Sequence, residues 1–413
     1  MKEILGTYRQ IAYAMLGCGT QKVRPWPSIK SNEITQSDRT KAIEEAISWL
    51  FMSQEVCNDG GSSAYFSVRH KKWASSYPET TGYIIVSLYE ALKTIQFSLE
   101  FQQELQKRLT RMTDWLLEIQ LPNGAYPGGQ IDLANKETPN LFNTGQILSG
   151  LLVAGLQQNN ETFLTAAERA ADWMCSTQAS DGSWKRDIYD RNCRTYYTRA
   201  VWSLAIASQV SSFKEAYKYK GSAQRFAEWV LTHQQANDWI DRCSFYTSTM
   251  REDYKVLHTI AYTIEGLLEI GICLDEVKYY DSAIKAAERL MKRFEIDGVL
   301  YGEYNEKWQP SAKYVCVTGC AQMGRIWGRC YELTNDIRFL NALLKINDAL
   351  RLVQPGEQAR REIRGGFPGS IPIYERYQPN QWLNWAVKFA IDSFLIEIRL
   401  LRRMNSITTH PLG

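Results

Sequence analysis

The six residues from Trp173 to Gln178, Trp-Met-Cys-Ser-Thr-Gln, show the pattern that organises this chain: a tryptophan followed five residues later by a glutamine. Three more clear copies and two degenerate ones recur: Trp49 with Gln54, Trp115 with Gln120, Trp229 with Gln234, Leu290 with Glu295, and Ala349 with Gln354. Successive copies lie 66, 58, 56, 61 and 59 residues apart. A repeat of about this length, read as two helices per unit, predicts the architecture of the whole chain.

The apolar residues predict two alternating sets of six helices. One set carries apolar residues at helical spacing with charges between them, as outer helices do: 42–54, 103–120, 162–178, 222–234, 280–294 and 337–353. The other set is apolar on most sides, which is typical of buried helices: 80–92, 143–156, 195–207, 257–270, 317–333 and 384–400. Near the start of each buried helix stands a Thr or Asn that we call the aligned position: Thr81, Thr144, Thr198, Thr259, Thr318 and Asn384. Residues of these types cap free N–H groups at helix starts.

Twelve alternating helices with one buried set predict an all-α fold, a closed (α/α)6 toroid of six helical hairpins; an open solenoid is the alternative. We predict a lead-in segment at 1–40, the toroid as a catalytic or binding domain at 41–402, and a tail at 403–413. The links from outer to inner helices are long, about 19 to 29 residues, and loops of this length are often functional. Every long link precedes an inner helix, so all six should emerge on one face, where we place the site.

Composition excludes several classes of protein. Charged residues make up 23% of the chain and the net charge is +3, which is too balanced for binding driven by phosphate attraction. Nine scattered cysteines predict free thiols and a cytoplasmic location. No run of eighteen apolar residues predicts a membrane span. No motif indicates a metal or a cofactor, so we expect neither.

The first long link carries the sequence from Arg69 to Trp73, in which His70 is flanked by three cations. Neighbouring cations favour the neutral imidazole, which suits a general base; a merely solvated basic loop is the alternative. Trp73, Tyr77 and Glu79 follow as candidate substrate-binding residues, with Arg69 as a carboxylate ligand. Glu79 precedes a helix start, so it could also serve only to complement the helix dipole.

The remaining links supply further candidates. Tyr197 and Arg199 lie at an inner-helix start, as a proton-transfer group and a bidentate carboxylate ligand. His258 opens another inner helix, as a second candidate base or a buried structural histidine. Asp187 could pair with Glu303 for hydrolysis, which needs two carboxyl groups. We expect five more side chains to contact a sugar: Arg194, Tyr246, Tyr304, Tyr314 and Trp382.

Two stretches resemble known families. Gln178–Trp184, with a weaker copy at Gln120–Tyr126, resembles the QxxDGSW repeat of the prenyltransferase/squalene-oxidase repeat superfamily, which implies an α/α toroid; the acidic DxDD motif of the triterpene cyclases is missing. The stretch Ser76–Tyr83, with Gly369–Pro372, Tyr377 and Asn384–Phe389, resembles cyclase-like α/α-toroid proteins of bacterial exopolysaccharide and capsule clusters. That resemblance implies a role in making or processing a surface polysaccharide.

We therefore expect a carbohydrate-active enzyme whose partner is an oligo- or polysaccharide, with no nucleic-acid or membrane partner. If the sugar is a uronate, Arg199 or Arg69 would hold the carboxylate, and Tyr197, His70 or His258 would move the C5 proton in a lyase or epimerase reaction. A neutral sugar would instead require hydrolysis by paired carboxylates. Two alternatives stay open: a terpene-type cyclase or lipid-binding toroid with an apolar cavity, and a non-catalytic glycan-binding component of a biosynthetic complex.

Overall fold

The computed structural model describes residues 34–131, 137–189, 192–245 and 255–409, which form twelve α-helices. The outer helices are α1 (Gln36–Glu55), α3 (Leu99–Glu118), α5 (Glu161–Thr177), α7 (Ala216–Leu231), α9 (Val277–Asp297) and α11 (Ile337–Val353). The inner helices are α2 (Pro78–Thr94), α4 (Leu141–Gln158), α6 (Thr198–Ala207), α8 (Leu257–Leu274), α10 (Val317–Thr334) and α12 (Asn384–Thr409). A 3-10 turn at Thr195–Tyr197 leads into α6. Both predicted sets are present, and the all-α prediction is confirmed.

The ring is closed by contacts between its first and last units. The Arg39 Nε of α1 lies 2.6 Å from Glu397 Oε1 of α12, and both side chains are buried. The Gln354 amide donates to the Ala42 carbonyl at 2.9 Å. The Asn384 N–H donates to the Ala64 carbonyl at 3.0 Å. These contacts join the two ends of the chain, so the closed toroid is confirmed and the open solenoid is excluded.

The repeated glutamine joins neighbouring outer helices. The Gln178 side chain donates to the Gly182 carbonyl of its own turn at 2.9 Å and to the Ser222 carbonyl of the next outer helix at 3.0 Å. Gln54, Gln120 and Gln354 make the same two types of bond in their own units. Each amide thus links the turn of its own unit to a carbonyl in the middle of the neighbouring outer helix, and both of its N–H groups have partners.

The turn after Gln178 requires a glycine. Gly182 has φ +86°, and a Cβ there would lie 2.4 Å from the Arg225 carbonyl oxygen of the next helix. Asp181 accepts the Ser183 N–H at 3.0 Å, and the buried Trp184 donates to the Met174 carbonyl at 3.1 Å. The QxxDGSW stretch is therefore a packing turn between neighbouring units.

The long links meet at the face where the inner helices begin. Strands β1 (Tyr65–Ser67), β2 (Lys72–Trp73) and β5 (Gln381–Leu383) form an antiparallel sheet in the order β2-β1-β5, which ties the first link to the last. Strands β3 (Val315–Cys316) and β4 (Ser370–Ile371) pair in the same way. The first N–H groups of α4, α8 and α10 donate to carbonyls in the following link, at 2.7, 2.8 and 3.2 Å. The links therefore form a continuous rim on one face of the ring.

The aligned threonines tie these links to the inner helices. The Thr144 hydroxyl accepts the Tyr126 N–H at 2.9 Å and donates to the Asn140 carbonyl at 2.7 Å. Thr81 makes the corresponding bonds with Ser62 and Tyr77. Among the described helices, α8 is long and apolar enough to cross a membrane by length and composition, but 83% of it is buried within the ring. A buried core helix passes the same test, so this is weak evidence for a membrane span.

Candidate active site

Glu79 is a buried carboxyl group in the first turn of α2, and its side chain lies close to Tyr77. Pro78 begins the helix, and Glu79 is 6% exposed. Burial raises the pKa of Glu79 to about 7, against the opposing effects of the Tyr77 hydrogen bond and the positive charge of Arg199. A group with this pKa is present in both protonation states at neutral pH, as general acid–base catalysis requires.

A chain of hydroxyl groups leads from the surface to Glu79. Tyr189 is 38% exposed. Its hydroxyl lies 3.3 Å from the Tyr77 hydroxyl. It also donates to the Asn143 side-chain oxygen and accepts the Gly129 N–H at 3.0 Å. The Tyr189 N–H in turn donates to the Tyr197 hydroxyl at 3.0 Å, which positions this segment. Tyr77 and Tyr189 therefore connect Glu79 to the surface of the rim.

His258 lies on the opposite side of the ring, because α2 belongs to the first of six units and α8 to the fourth. Its Nδ1 is 2.7 Å from the Gln322 Oε1, so with the amide in this orientation Nδ1 carries the proton and Nε2 is the basic atom. Burial lowers the pKa of His258 to about 4, Gln322 opposes the shift, and the charge of Arg199 adds to it. The imidazole is therefore neutral at pH 7.

Arg199 supplies positive charge beneath these two groups. It is 3% exposed, and its guanidinium lies over the rings of Trp202 and Phe389, at 4.9 and 5.9 Å from their centroids. Its Nε is 3.2 Å from the Glu265 Oε2. The positive charge influences both Glu79 and His258, as their pKa shifts show.

Aromatic rings close the space below and line it at the side. Tyr83, Tyr262, Phe389 and Phe142 form an aromatic floor, with centroid separations of 5.6 Å for Tyr83–Phe389, 5.7 Å for Tyr262–Phe389 and 5.4 Å for Phe142–Tyr262. Above it, Trp385 donates to the Tyr377 hydroxyl at 3.0 Å and lies 6.3 Å from the Tyr77 ring. Tyr377 is 5.9 Å from the His258 ring. We call this group of side chains, together with Glu79, Arg199 and His258, the cup.

Below the aromatic floor the interior of the ring is charged. Arg325 lies 3.2 Å from Glu265 and 2.9 Å from Glu269, and Arg329 lies 2.9 Å from Glu269. Burial opposes ionisation of Glu269, but Arg325 and Arg329 bring its pKa down to about 2. The terpene-type alternative requires an apolar cavity, and this interior is instead filled with paired charges.

Of the residues proposed from sequence, Tyr77, Glu79, Tyr197, Arg199 and His258 lie in or beside the cup. The first link is placed differently. His70 and Arg69 are exposed at the tip of the β1–β2 hairpin, because the cations of this stretch stay in water. Trp73 packs on Trp49 and Phe66, at centroid distances of 5.3 and 5.2 Å. Neither the histidine nor the tryptophan of this link contributes to the cup.

The proposed carboxylate pair is also separated. Both oxygens of Glu303 contact the Arg376 guanidinium, and Glu303 is 2% exposed. Asp187 lies beside the start of α4, where its carbonyl accepts the Leu141 N–H at 2.7 Å and its carboxylate is 3.9 Å from the Arg186 Nε. Each carboxylate thus has a basic neighbour, and the two belong to different units of the rim.

The other predicted sugar contacts serve the packing of the links. Tyr304, Tyr314 and Trp382 are almost fully buried, and the Tyr304 hydroxyl accepts the Tyr301 N–H at 3.0 Å. Arg194 donates to the Ser244 hydroxyl at 3.1 Å, which joins two neighbouring links. These aromatic residues are buried because they fill the space between links. Tyr246 lies outside the described residues.

Six residues in or beside the cup were not proposed for the site from the sequence, although Tyr377 and Trp385 belong to stretches that carry a family resemblance: Tyr189, Asn143, Tyr262, Gln322, Tyr377 and Trp385. Two of them have a signal in the helical pattern, since Tyr262 follows His258 by one turn and Trp385 directly follows the aligned Asn384. Tyr189 and Tyr377 lie in the long links, where no helical periodicity predicts the position of a side chain. Their contacts, with Tyr77 and with Trp385, are seen only in the folded chain.

Comparison with known proteins supports the fold. Residues 145–319, less than half of the chain, match the family model of the ulvan lyase N-terminal domain. The unsaturated glucuronyl hydrolase of Bacillus sp. GL1 is a similar solved structure, with a TM-score of 0.67 and 15% identity over 88% of this chain and 97% of that one. Cellobiose 2-epimerase from Bacillus thermoamylovorans has a TM-score of 0.64 and 12% identity over 88% and 98%. A sugar epimerase from a ruminal bacterium has a TM-score of 0.67 and 11% identity over 87% and 97%.

No curated relative matches the chain. At these identities the similar structures show the fold alone, an α/α toroid of the kind found in enzymes that act on carbohydrates. They support the toroid but not the resemblance to the prenyltransferase/squalene-oxidase repeat superfamily.

Proposed function

We propose that this chain is a carbohydrate-active enzyme that binds a uronate-containing glycan in the cup and transfers the proton on C5 of the uronate, as a lyase or an epimerase. One observation carries the proposal. Glu79, a carboxyl group with a pKa of about 7, and His258, a neutral imidazole, stand at the starts of inner helices in the first and fourth units, and the charge of Arg199 acts on both. One group able to give a proton and another able to take one are thus present together at neutral pH.

The charges and hydrogen-bond donors of the cup suit an acidic sugar. Removing the C5 proton places negative charge on the adjoining carboxylate, and fixed donors lower the energy of that charge. Arg199 provides positive charge that acts on both Glu79 and His258, and the Tyr77 hydroxyl is hydrogen-bonded to Glu79. Trp385 and Tyr377 are 8% and 5% exposed, and the hydrogen bond between them fixes an aromatic wall beside Tyr77 and His258.

The two reaction types differ in what happens after the proton leaves. In β-elimination, the His258 Nε2 takes the C5 proton, the C4–oxygen bond breaks, and Tyr77, backed by Glu79, protonates the departing oxygen. In epimerisation, the C4–oxygen bond stays intact and a proton returns to C5 from the other face. His258 and Glu79 belong to opposite units of the ring, so each could exchange a proton with a different face of the sugar. This arrangement is compatible with either reaction.

The names of the similar proteins support the substrate class. The glucuronyl hydrolase and the two epimerases act on sugars, and the ulvan lyase model covers the part of this chain that contains Arg199 and His258. We also propose that the chain acts in surface-polysaccharide biosynthesis, because Ser76–Tyr83 and Asn384–Phe389 resemble proteins of such gene clusters. The proposed location is the cytoplasm. The eight described cysteines are free, and five of them are buried, which suits a reducing compartment.

Glycoside hydrolysis is the second candidate, because the pKa of Glu79 is also that of a general acid. Hydrolysis usually needs a second carboxyl group about 5 to 10 Å away. Asp187 and Glu303, the predicted partners, each have a basic neighbour elsewhere on the rim. This arrangement favours proton transfer over hydrolysis. A purely glycan-binding protein would have no need of the Glu79 and His258 arrangement.

A panel of acidic glycans tests the proposal. Each glycan is incubated with the protein in D2O, and ultraviolet absorbance, deuterium at C5 and reducing ends are measured. New absorbance from an unsaturated uronate identifies a lyase, and deuterium at C5 without cleavage identifies an epimerase. Reducing ends with neither signal identify a hydrolase and contradict the proposal. Binding without any reaction across the panel supports a non-catalytic role.

A further inference from the structure

The inner helices carry a line of charged side chains that runs away from the cup. On α8, Glu265 and Glu269 follow His258 and Tyr262 at helical spacing, so they lie on the same face, deeper in the ring. On α10, Arg325 follows Gln322 by three residues. Glu265 has no exposure to solvent. Buried charges of this kind are costly unless each has a partner, so their arrangement is specific.

Glu265 is shared between two arginines. Its Oε2 lies 3.2 Å from the Arg199 Nε, and its Oε1 lies 3.2 Å from the Arg325 Nη1. Neither oxygen has a hydrogen bond of good geometry, so the contacts are electrostatic. Arg325 is held in turn by Glu269 at 2.9 Å. Glu265 thus connects the floor of the cup to a fixed ionic network below.

Arg199 has two possible carboxylate partners, Glu79 above and Glu265 below. Among the described residues, Arg199 forms its ion pair with Glu265, while its effect on Glu79 acts over a longer distance. Its guanidinium is also confined by the rings of Trp202 and Phe389. A direct ion pair between Arg199 and Glu79 would hold Glu79 ionised and unable to give a proton.

We infer that Glu265 is a positioning residue for the cup: it holds the Arg199 guanidinium away from Glu79, so that Glu79 remains able to exchange a proton. The inference rests on the proposed function of Glu79. Other charged or titratable groups also influence this region. Tyr77, Tyr189, Tyr83 and Tyr262 interact with Glu79, and His258 and Lys388 interact with Arg199. All of them remain in the variants below.

Replacement of Glu265 by Gln tests the inference, with Glu269→Gln as the matched control. Both variants lose one buried carboxylate of the same network, but only Glu265 contacts Arg199. The ionisation of Glu79 is followed by carbon-13 NMR of glutamate-labelled protein, with the signal assigned by its loss in Glu79→Gln. We expect the midpoint of Glu79 to fall by about one pH unit or more in Glu265→Gln, as an opposite charge close by produces. Glu269→Gln should leave the midpoint within about 0.3 units of the parent, since the deeper charge acts at a longer distance.

A second pair of variants keeps the test decisive if Glu265→Gln does not fold. Arg199→Met removes the charge itself, so the Glu79 midpoint should rise, in the opposite direction. Glu265→Asp keeps the carboxylate and should bring the midpoint back towards that of the parent. Equal midpoints in Glu265→Gln and Glu269→Gln would overturn the inference, as would a Glu79 midpoint that does not rise in Arg199→Met.

The NMR titration is independent of turnover, so it separates the two proposals. If the chain shows no activity on any uronate but the midpoints move as expected, the positioning role stands and the proposed reaction fails. If activity is found, the pH–rate profile of Glu265→Gln should shift to lower pH with the midpoint. A profile that keeps its position while the total rate falls would indicate a purely structural role.

Discussion

The outer wall and the cup are built from the same six units, but they use the repeat in opposite ways. On the outer wall, Gln54, Gln120, Gln178 and Gln354 make the same two bonds in their own units. Around the cup, positions within two residues of the aligned Thr or Asn carry a different side chain in each of five units: Glu79, Asn143, Arg199, His258 and Trp385. Residues that repeat hold the ring together, and the residues that we propose for the site depart from the repeat.

The largest effect that this comparison predicts is on the non-repeating Glu79. We expect Glu79→Gln to lower the rate on an acidic glycan by about 100-fold to 10,000-fold, the usual contribution of a general acid or base. The rate of the folded variant is measured on the best substrate of the panel. Glu303→Gln is the matched control, because Glu303 is a buried carboxylate held by Arg376 on the rim. If Glu303→Gln lost more activity than Glu79→Gln, the cup would be the wrong site.

The same carboxyl group should make the protein less stable at high pH. The pKa of Glu79 rises from 4.5 to about 7 on folding, so the folded state binds this proton more tightly than the unfolded state. The resulting stability is fully present below about pH 4.5 and is lost as the pH rises through about 7. The pKa shift of Glu79 corresponds to a loss of about 3 kcal/mol in the free energy of unfolding between low and high pH.

This dependence is measured as the difference in free energy of unfolding between the parent and Glu79→Gln, by urea titration from pH 4 to pH 9. Glutamine carries no charge at any of these values, so the parent should lose stability relative to the variant as the pH rises. A difference that does not vary with pH would show that Glu79 is not buried as a titrating group.

On the outer wall, a change at a repeated position should affect stability and not chemistry. We expect Gly182→Ala to lower the free energy of unfolding by about 3 kcal/mol, because the methyl group would meet the Arg225 carbonyl at 2.4 Å and φ is +86°. Gly298→Ala is the matched control: φ is +67° there, but nothing lies within 4 Å, so the cost should be about 1 kcal/mol. Urea unfolding of both variants checks this, and equal losses would contradict the role of the turn in packing.

The smallest expected effect is at His70. This histidine is exposed at a hairpin tip, so His70→Ala should leave the rate within about twofold, whereas His258→Ala should lower it about 100-fold or more. Rates of the two variants are compared on the same substrate. A larger loss for His70 would move the site from the cup to the first link.

Much of the fold was predictable because it depends on short-range pattern. The spacing of apolar residues predicted every outer and inner helix. The site was predictable only in part. The sequence placed His258, Glu79 and Arg199 at helix starts because these positions follow from the repeat, and their roles stay predictions. His70 lies at an exposed hairpin tip, as in the alternative of a solvated basic loop, because the sequence of a basic stretch is the same there and at a binding site.

The amino-acid sequence determined the ring, since helical periodicity and the interval between Trp and Gln are properties of the chain itself. It also limited the site to the rim, because every long link precedes an inner helix. Only the tertiary structure decided which side chains meet. Closure of six units brings Glu79 opposite His258 and places Arg199 between two carboxylates 186 residues apart, and burial then sets their charges. Such long-range proximity and desolvation have no counterpart in local sequence.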